Sequence, residues 1–320
     1  MSLARNDPVS AYALEHPALV YRSLDEFLAY AVPFVRQGVA AGEPVFGAVG
    51  TAELDALRSA TGTNGVHLED TNVWHPVPAT RLRAFHRYVT HALEGGAERV
   101  RLIGEPLWPA GPPGSALEWA RYESVLNDVL APFPVTIVCT YDRSRLRPEV
   151  VADARRTHPV VSTNGASVRS SDFEDPSSLL ARWTPRLTRV PGGAASMPPP
   201  FDPAASRAFV RDRAARAGVA EPRSMDLALA ASEILANAAD HGAGPTALRT
   251  WADGGYLVCQ IDDAGAGLAD PFAGYRPPGT EQRAGRGLWL ARQVVDLMQI
   301  AAGPRGTSVR FQVPIGTAHR

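Results

Sequence analysis

A carboxylate and an amide stand four residues apart in the second half of this 320-residue chain. Glu233 and Asn237 lie in the run SEILANAADHG, and on a helix this spacing places both side chains on one face. The Glu233 carboxylate is suited to act as a general base toward a hydroxyl or water. The neutral oxygen of Asn237 is a ligand for Mg²⁺ that leaves most of the coordination shell to phosphate and water. Taken alone, the run fits an alanine-rich core helix with two outward polar residues equally well.

A first glycine-rich segment, Asp263-Ala264-Gly265-Ala266-Gly267, follows a strand that β-branched and aromatic residues predict over 256–262. At the exit of that strand the Asp263 carboxylate is placed to accept a hydrogen bond from an adenine amino group. Gly265 and Gly267 allow the backbone to approach a flat base closely. The same letters also describe a simple turn between strands.

A second glycine-rich segment, Gly285-Arg286-Gly287, precedes a helix predicted over 288–297. Free N–H groups and the positive end of a helix dipole favour phosphate at such a position. Arg286 adds a fixed positive charge. Gly306-Thr307, near the end of the chain, completes the series. Each of these segments taken by itself is a weak indication of a nucleotide site.

Together these segments resemble the Bergerat-type ATPases, the superfamily of gyrase, Hsp90, histidine kinases and MutL. Within it, residues 201–314 look most like the small serine kinases that act as anti-sigma factors, of the RsbW and SpoIIAB type. The resemblance implies ATP and Mg²⁺ as cofactors. The roles it implies are Glu233 as general base, Asn237 as Mg²⁺ ligand, Asp263 as adenine reader, Gly265 and Gly267 in the base pocket, Gly285, Arg286 and Gly287 at the phosphates, and Thr307 near the adenine. Residues 268–284 depart from the family pattern, so no lid contacts are carried over.

Composition excludes several other chemistries. All 32 basic residues are arginine, and without lysine neither a Walker A loop nor a Schiff-base mechanism is available. The net charge of −1 gives no reason to expect direct nucleic-acid binding. Neither a transmembrane run nor a signal-peptide core is found, so we expect a cytoplasmic protein with no membrane partner. Cys139 and Cys259 lie in apolar runs typical of buried thiols, and no Cys/His pattern has the spacing of a zinc site.

The first half alternates strands and helices, which predicts a mostly parallel sheet with helices on both faces. It resembles the MEDS sensory domain, an offshoot of the RecA/KaiC fold. The segments that carry the likeness are HPALVY at 16–21, GEP at 42–44, GEPLWP at 104–109, EWARYE at 118–123 and the strand ending YD at 141–142. Six side chains are candidates for lining a small-molecule pocket near the strand ends, although each has an equally good structural interpretation: His16, Tyr21, Glu105, Trp108, Trp119 and Glu123.

The expected organisation is therefore a MEDS-like domain over 10–157, a linker over 158–200 rich in Ser, Gly and Pro, and a histidine-kinase-like ATPase domain over 201–316. The fold class is α/β followed by α+β, with a RecA/KaiC-like sheet first and a Bergerat-fold α/β sandwich second. A MEDS domain beside an RsbW-like kinase is the arrangement of RsbA-like regulators.

This resemblance implies an ATP-dependent serine/threonine kinase that regulates transcription as an anti-sigma factor. Its expected partners are a sigma factor and a STAS-domain antagonist that carries the acceptor hydroxyl, with a ligand at the first domain gating the activity. RsbW-type kinases are commonly dimers, which makes a homodimer the expectation. Two alternatives stay open: a sensor histidine kinase, for which His158 is the nearest acceptor, and a non-catalytic ATP-binding module that sequesters a sigma factor or STAS protein.

Overall fold

The computed structural model describes residues 14–62, 64–107, 112, 114–241, 243–278, 286–304 and 306–316. The chain divides into two compact units, one made of 1–108 with 119–176 and the other of 109–118 with 177–320. Every helix in the described ranges is too short or too polar to cross a bilayer.

The first unit is built on a seven-stranded sheet in the order β3-β2-β4-β5-β1-β6-β7. All neighbouring strands are parallel except the last pair, β6 and β7. The strands are β1 (Pro17–Tyr21), β2 (Val45–Val49), β3 (Val66–Asp70), β4 (Val100–Gly104), β5 (Val135–Asp142), β6 (Val160–Thr163) and β7 (Ala166–Arg169). The helices are α1 (Leu24–Ala40), α2 (Thr51–Thr61), α3 (Pro78–Glu94), α4 (Ser115–Val129) and α5 (Pro148–Thr157). Of α4, the residues from Trp119 onward belong to this unit.

Alternate residues of β2 show that helices cover both faces of this sheet. Val45 and Val49 belong to the apolar cluster that includes α1 and α2. Phe46 points to the opposite face, as a strand's period of two requires, and its ring meets that of Phe85 on α3 at 5.9 Å. The predicted α/β layering of the first half is therefore confirmed.

The segment over 158–200 differs from the expected linker. Its first part supplies β6, which pairs with β1 through Val161 opposite Ala18, and β7, which closes the edge of the sheet. Later it forms α6 (Pro176–Arg182) and β8 (Ala195–Met197), and β8 joins the second sheet. The polar Ser and Gly residues that indicate a linker are equally suited to short edge strands, whose pairing is decided by the sheet they meet.

The second unit is a layer of helices against an antiparallel five-stranded sheet in the order β11-β12-β10-β9-β8. The remaining strands are β9 (Pro245–Asp253), β10 (Tyr256–Asp263), β11 (Leu297–Gly303) and β12 (Gly306–Pro314). The remaining helices are α7 (Pro203–Ala217), α8 (Glu221–His241) and α9 (Arg286–Val294). The predicted apolar stripe of α8 is buried, and Leu227 and Ile234 pack in one core with Cys259 and Phe311 of the sheet.

The start of α8 and the end of α9 meet at one arginine. Ser224 is of a residue type that often caps helices, but α8 begins at Glu221 and Ser224 is buried within it. Helix α9 ends at Val294 instead of continuing to Leu297, which starts β11. Arg223 sits between these ends, donating to the Val294 carbonyl at 2.8 Å and pairing with Asp296. The guanidinium thus hydrogen-bonds a carbonyl at the C-terminus of α9, which allows the helix to end there and β11 to begin.

Candidate functional site

A cleft of about 630 Å³ opens in the second unit between α8, the turn after β10 and the start of β12. That volume includes space open to solvent, and the lining is mostly apolar with a few polar groups, as is usual for small-molecule sites. The lining residues are Ile234, Asn237, Ala238, His241, Asp263, Gly265, Ala266, Gly267, Leu268, Leu288, Thr307 and Val309. Five of the residues named from the sequence therefore meet in one cavity.

Glu233 and Asn237 lie on α8 directly against the first turn of α9. A Cβ added to Gly287 would be 2.9 Å from Glu233 Oε2 and 2.8 Å from Asn237 Nδ2. A larger residue at this position would therefore displace the ends of these two polar side chains. The four-residue spacing places Glu233 and Asn237 on one face of α8, and the N-terminus of α9 packs against that face.

Asp263 is held by backbone donors from two segments that are far apart in sequence. Its Oδ1 accepts from Gly265 N at 2.8 Å and from Thr307 N at 3.2 Å. Two such N–H groups orient the carboxylate. Asp263 lines the cleft, where its carboxylate can meet a ligand.

Gly306 makes the contact between these segments possible. Its φ is +131°, and an added Cβ would lie 1.9 Å from the carbonyl oxygen of Asp263. Gly267 is also in the positive-φ region, at +88°, and an added Cβ would meet the Gly303 carbonyl oxygen at 3.1 Å. Both glycines are thus required by backbone conformation and close approach.

The remaining sequence candidates are placed as follows. Arg286 is the first residue of α9 and is exposed, at the helix end that suits phosphate. Gly285 lies outside the described residues. Sequence reasoning missed His241, which lines the cleft. It stands four residues after Asn237 and eight after Glu233, and this continued spacing was a signal that could have found it.

The chemistry of this cleft fits a magnesium nucleotide. Asn237 Nδ2 is buried without a hydrogen-bond partner among the described residues. A buried amide in this condition is costly unless a ligand completes it. A phosphate oxygen would accept from Nδ2, whereas turning the amide by half a rotation would offer Oδ1 to a metal ion.

A second cavity, of about 910 Å³, lies in the first unit at the carboxyl ends of parallel strands β2, β4 and β5. This is where α/β sheets usually bind ligands. Glu105 lines it, together with Glu53 and Asp142, and Glu105 Oε2 accepts from Gly50 N at 2.7 Å. Tyr21 donates to Glu53 at 3.2 Å. Of the six side chains considered for a sensory pocket, Glu105 lines this cavity, and Tyr21 reaches its wall through the hydrogen bond to Glu53.

Burial raises the pKa of Glu105 to about 7; Gly50 N–H and Arg145 oppose this, while Glu53 and Asp142 add to it. The folded chain then keeps a proton that the unfolded chain releases. Stability therefore falls as the pH rises from about 4.5 to about 7. The loss over that window is on the order of 3 kcal/mol.

We expect Glu105→Gln, which has no proton to lose, to abolish this dependence. Relative to wild type, the variant should become more stable by about 3 kcal/mol between pH 5 and pH 8. Urea unfolding at both pH values, followed through the first unit, measures this difference. Glu94→Gln removes an exposed carboxylate of α3 and is the control. Equal pH dependence of wild type and Glu105→Gln would contradict the assignment.

The other residues considered for the sensory pocket lie elsewhere. His16 and Glu123 belong to a fully buried group with Cys139 and His158. Sequence spacing gave no zinc pattern, yet the fold brings these residues from four separate segments. Trp119 is buried, with the Arg81 guanidinium 5.0 Å from its ring centre. Trp108 lies outside the described residues.

Comparison with known families agrees with both units. Residues 15–159 match the MEDS family, described as the MEthanogen/methylotroph, DcmR Sensory domain. Residues 202–313 match the family described as Histidine kinase-like ATPase domain. The chain therefore combines a MEDS domain with a histidine kinase-like ATPase domain, in the order expected of RsbA-like regulators.

Comparison with whole proteins adds less. No curated protein matches the chain. Among solved structures, the histidine kinase domain from Erythrobacter litoralis EL346 blue-light activated histidine kinase is 16% identical, and the match covers 52% of this chain and 81% of that one. The TM-score is 0.25, so this likeness supports no further argument.

Proposed function

We propose that this protein is an ATP-dependent serine/threonine kinase and anti-sigma factor that phosphorylates a STAS-domain antagonist. The observation that carries the proposal is the meeting of Glu233, Asn237 and Gly287. It combines a carboxylate, an amide and a helix N-terminus beside a cleft that Asn237 lines together with Asp263, whose carboxylate suits an adenine amino group. ATP is the substrate and Mg²⁺ the cofactor of this proposed activity.

In the proposed reaction Glu233 accepts the proton of the acceptor serine or threonine hydroxyl. The hydroxyl oxygen bonds to the γ-phosphorus, and the bond from that phosphorus to the β–γ bridging oxygen breaks, so that ADP leaves with the electron pair. The N–H groups at the start of α9 and the charge of Arg286 stabilise the transferred phosphoryl group. Asn237 would hold Mg²⁺, which offsets phosphate charge when bound.

The same proposal includes the wider regulation. Phosphorylation of the STAS protein would control whether the kinase domain holds a sigma factor, as in the anti-sigma kinases that residues 201–314 resemble. A small molecule in the 910 Å³ cavity of the MEDS domain would change the kinase rate. Such coupling requires that the ligand bind the two activity states with different affinity. A homodimer remains part of this proposal.

The histidine-kinase alternative is disfavoured by the position of its acceptor. His158 is 0% exposed and forms the C-cap of α5, with Nδ1 at 2.8 Å from the Ala154 carbonyl oxygen. A phosphoacceptor must reach a nucleotide, which a side chain buried in this way does not. The non-catalytic binding module shares the whole cleft with the kinase and differs only in the use of Glu233.

The test is phosphoryl transfer from γ-labelled Mg·ATP, with the full-length protein alone and with STAS-domain proteins of the same genome. We expect acid-stable label on a serine or threonine of one STAS protein. Confirmed ATP binding without transfer to any STAS protein would replace the kinase by the binding module. Acid-labile label on the protein itself would favour the histidine kinase.

A further inference from the structure

We propose that His16, Glu123, Cys139 and His158 bind a divalent transition metal inside the MEDS domain, with Zn²⁺ as the ion that best fits their donor atoms. One ligand atom from each side chain lies within 4.8 Å of all the others. All four residues are at most 2% exposed. We refer to them below as the four-residue cluster.

The cluster joins four parts of the first unit. His16 precedes β1, Glu123 is on α4, Cys139 is in the middle of β5 and His158 ends α5. Such convergence of two imidazoles, a thiol and a carboxylate in a dry core is unusual, since charged side chains are almost never fully buried unless they are paired or bind metal.

Hydrogen bonds fix which nitrogen of His158 carries its proton. Nδ1 lies 2.8 Å from the carbonyl oxygen of Ala154, a group that only accepts. Nδ1 is therefore the protonated nitrogen of this ring. Its Nε2 is then a bare lone pair, 3.3 Å from Glu123 Oε2.

His16 is arranged in the same way. The amide of Asn127 donates from Nδ2 to the Thr157 carbonyl at 2.8 Å, so its Oδ1 is the atom 3.0 Å from His16 Nδ1. His16 therefore donates from Nδ1 and turns a bare Nε2 inward, 3.3 Å from Cys139 Sγ and 3.7 Å from Glu123 Oε2. Metal-binding histidines characteristically donate their second ring N–H to a carbonyl in this way.

Protein groups alone leave this arrangement incomplete. Cys139 can donate its S–H to His16 Nε2, but both oxygens of Glu123 and Nε2 of His158 have no hydrogen-bond partner among the described residues. A lone pair that faces a carboxylate at 3.3 Å repels it unless a positive charge lies between them. A shared proton is the simplest such charge, yet these two atoms do not meet the geometry of a hydrogen bond.

A metal ion would bind Cys139 Sγ, Nε2 of both histidines and one oxygen of Glu123. With bonds of about 2.0–2.3 Å, neighbouring ligand atoms in a tetrahedral zinc site are roughly 3.3–3.8 Å apart. Three separations in the cluster fall in that interval: His16 Nε2 to Cys139 Sγ at 3.3 Å, His16 Nε2 to Glu123 Oε2 at 3.7 Å and His158 Nε2 to Glu123 Oε2 at 3.3 Å. A thiolate with two imidazoles and a carboxylate suits Zn²⁺ better than Mg²⁺ or Ca²⁺, which prefer oxygen ligands. Four protein ligands close the site, as in structural zinc centres.

The metal content and the cobalt spectrum of tag-free full-length protein test this proposal. We expect about one zinc per chain by elemental analysis. Replacement by Co²⁺ should give a thiolate-to-cobalt charge-transfer band. Cys139→Ser should lose this band and most of the metal. Cys259→Ser is the matched control, because it removes the chain's other buried thiol, which lies in the second unit. This variant should keep both the band and the metal.

Should Cys139→Ser fail to fold, the cobalt spectra of wild type and Cys259→Ser still decide the question. A thiolate band present in both proteins can come only from Cys139, because the chain has two cysteines. Wild-type protein that carries no zinc after growth with added zinc, and that shows no cobalt band, would overturn the proposal and leave a protonated cluster.

Discussion

Replacement of Glu233 by glutamine should lower phosphoryl transfer by about 10²–10⁴-fold, the usual contribution of a positioned general base. Glutamine keeps the size of the side chain and its packing beside Gly287, but its amide does not take up the hydroxyl proton. ATP binding should change little, because the adenine contact assigned to Asp263 is on another element. Single-turnover transfer to the STAS partner and calorimetric ATP titration measure the two quantities separately.

Glu221→Gln is the matched control for this variant. It makes the same change on the same helix, at an exposed position that pairs with Arg211 on the surface. Exposed pairs of this kind contribute about 0–1 kcal/mol, so the control should transfer at the wild-type rate. Undiminished transfer by Glu233→Gln would remove Glu233 from the role of base.

Gly306→Ala should weaken ATP binding roughly tenfold or more, a cost of about 1.4 kcal/mol or above. The added Cβ would stand 1.9 Å from the Asp263 carbonyl oxygen, at a φ of +131°. The start of β12 must therefore move away from the end of β10. The Thr307 N–H then loses Asp263 Oδ1, and the carboxylate loses one of its two orienting donors. Backbone strain adds about 1–3 kcal/mol of destabilisation.

Gly303→Ala provides the control in the same hairpin. Gly303 is the strand partner of Gly306, but a Cβ there meets nothing within 4 Å. Titration with ATP and urea unfolding of both variants separate loss of the site from loss of the fold. Wild-type ATP affinity in a folded Gly306→Ala protein would show that this turn does not shape the nucleotide pocket.

The two predictions depend on different kinds of information. The spacing of Glu233 and Asn237 is local, so the sequence placed them on one helix face before any tertiary contact was known. That Gly306 must approach Asp263 is a contact between residues 43 positions apart, and only pairing of β10 with β12 shows it. Sequence spacing indicated a nucleotide site, whereas the fold showed at which glycine positions of that site a side chain is not tolerated.

Local patterns predicted most elements well. The strand predicted over 256–262, observed as β10, and the alternation of strands and helices in the first half follow from β-branched content and from apolar periodicity, which act within a few residues. The missed elements depend on distant partners. β6 and β7 exist because β1 offers an open edge, and α9 ends where Arg223 of α8 reaches its last carbonyl.

The sequence by itself determined the fold classes of the two halves, the exclusion of lysine-dependent chemistry and the residue types of the proposed ATP site, because each rests on short-range pattern or composition. Tertiary structure alone decided how close α9 comes to Glu233 and that His16, Glu123, Cys139 and His158 meet in one core. These residues stand up to 142 positions apart, and no spacing rule spans such a distance. Their meeting follows from the order in which parallel strands pair, which brings the segment before β1 beside the middle of β5 and the end of α5.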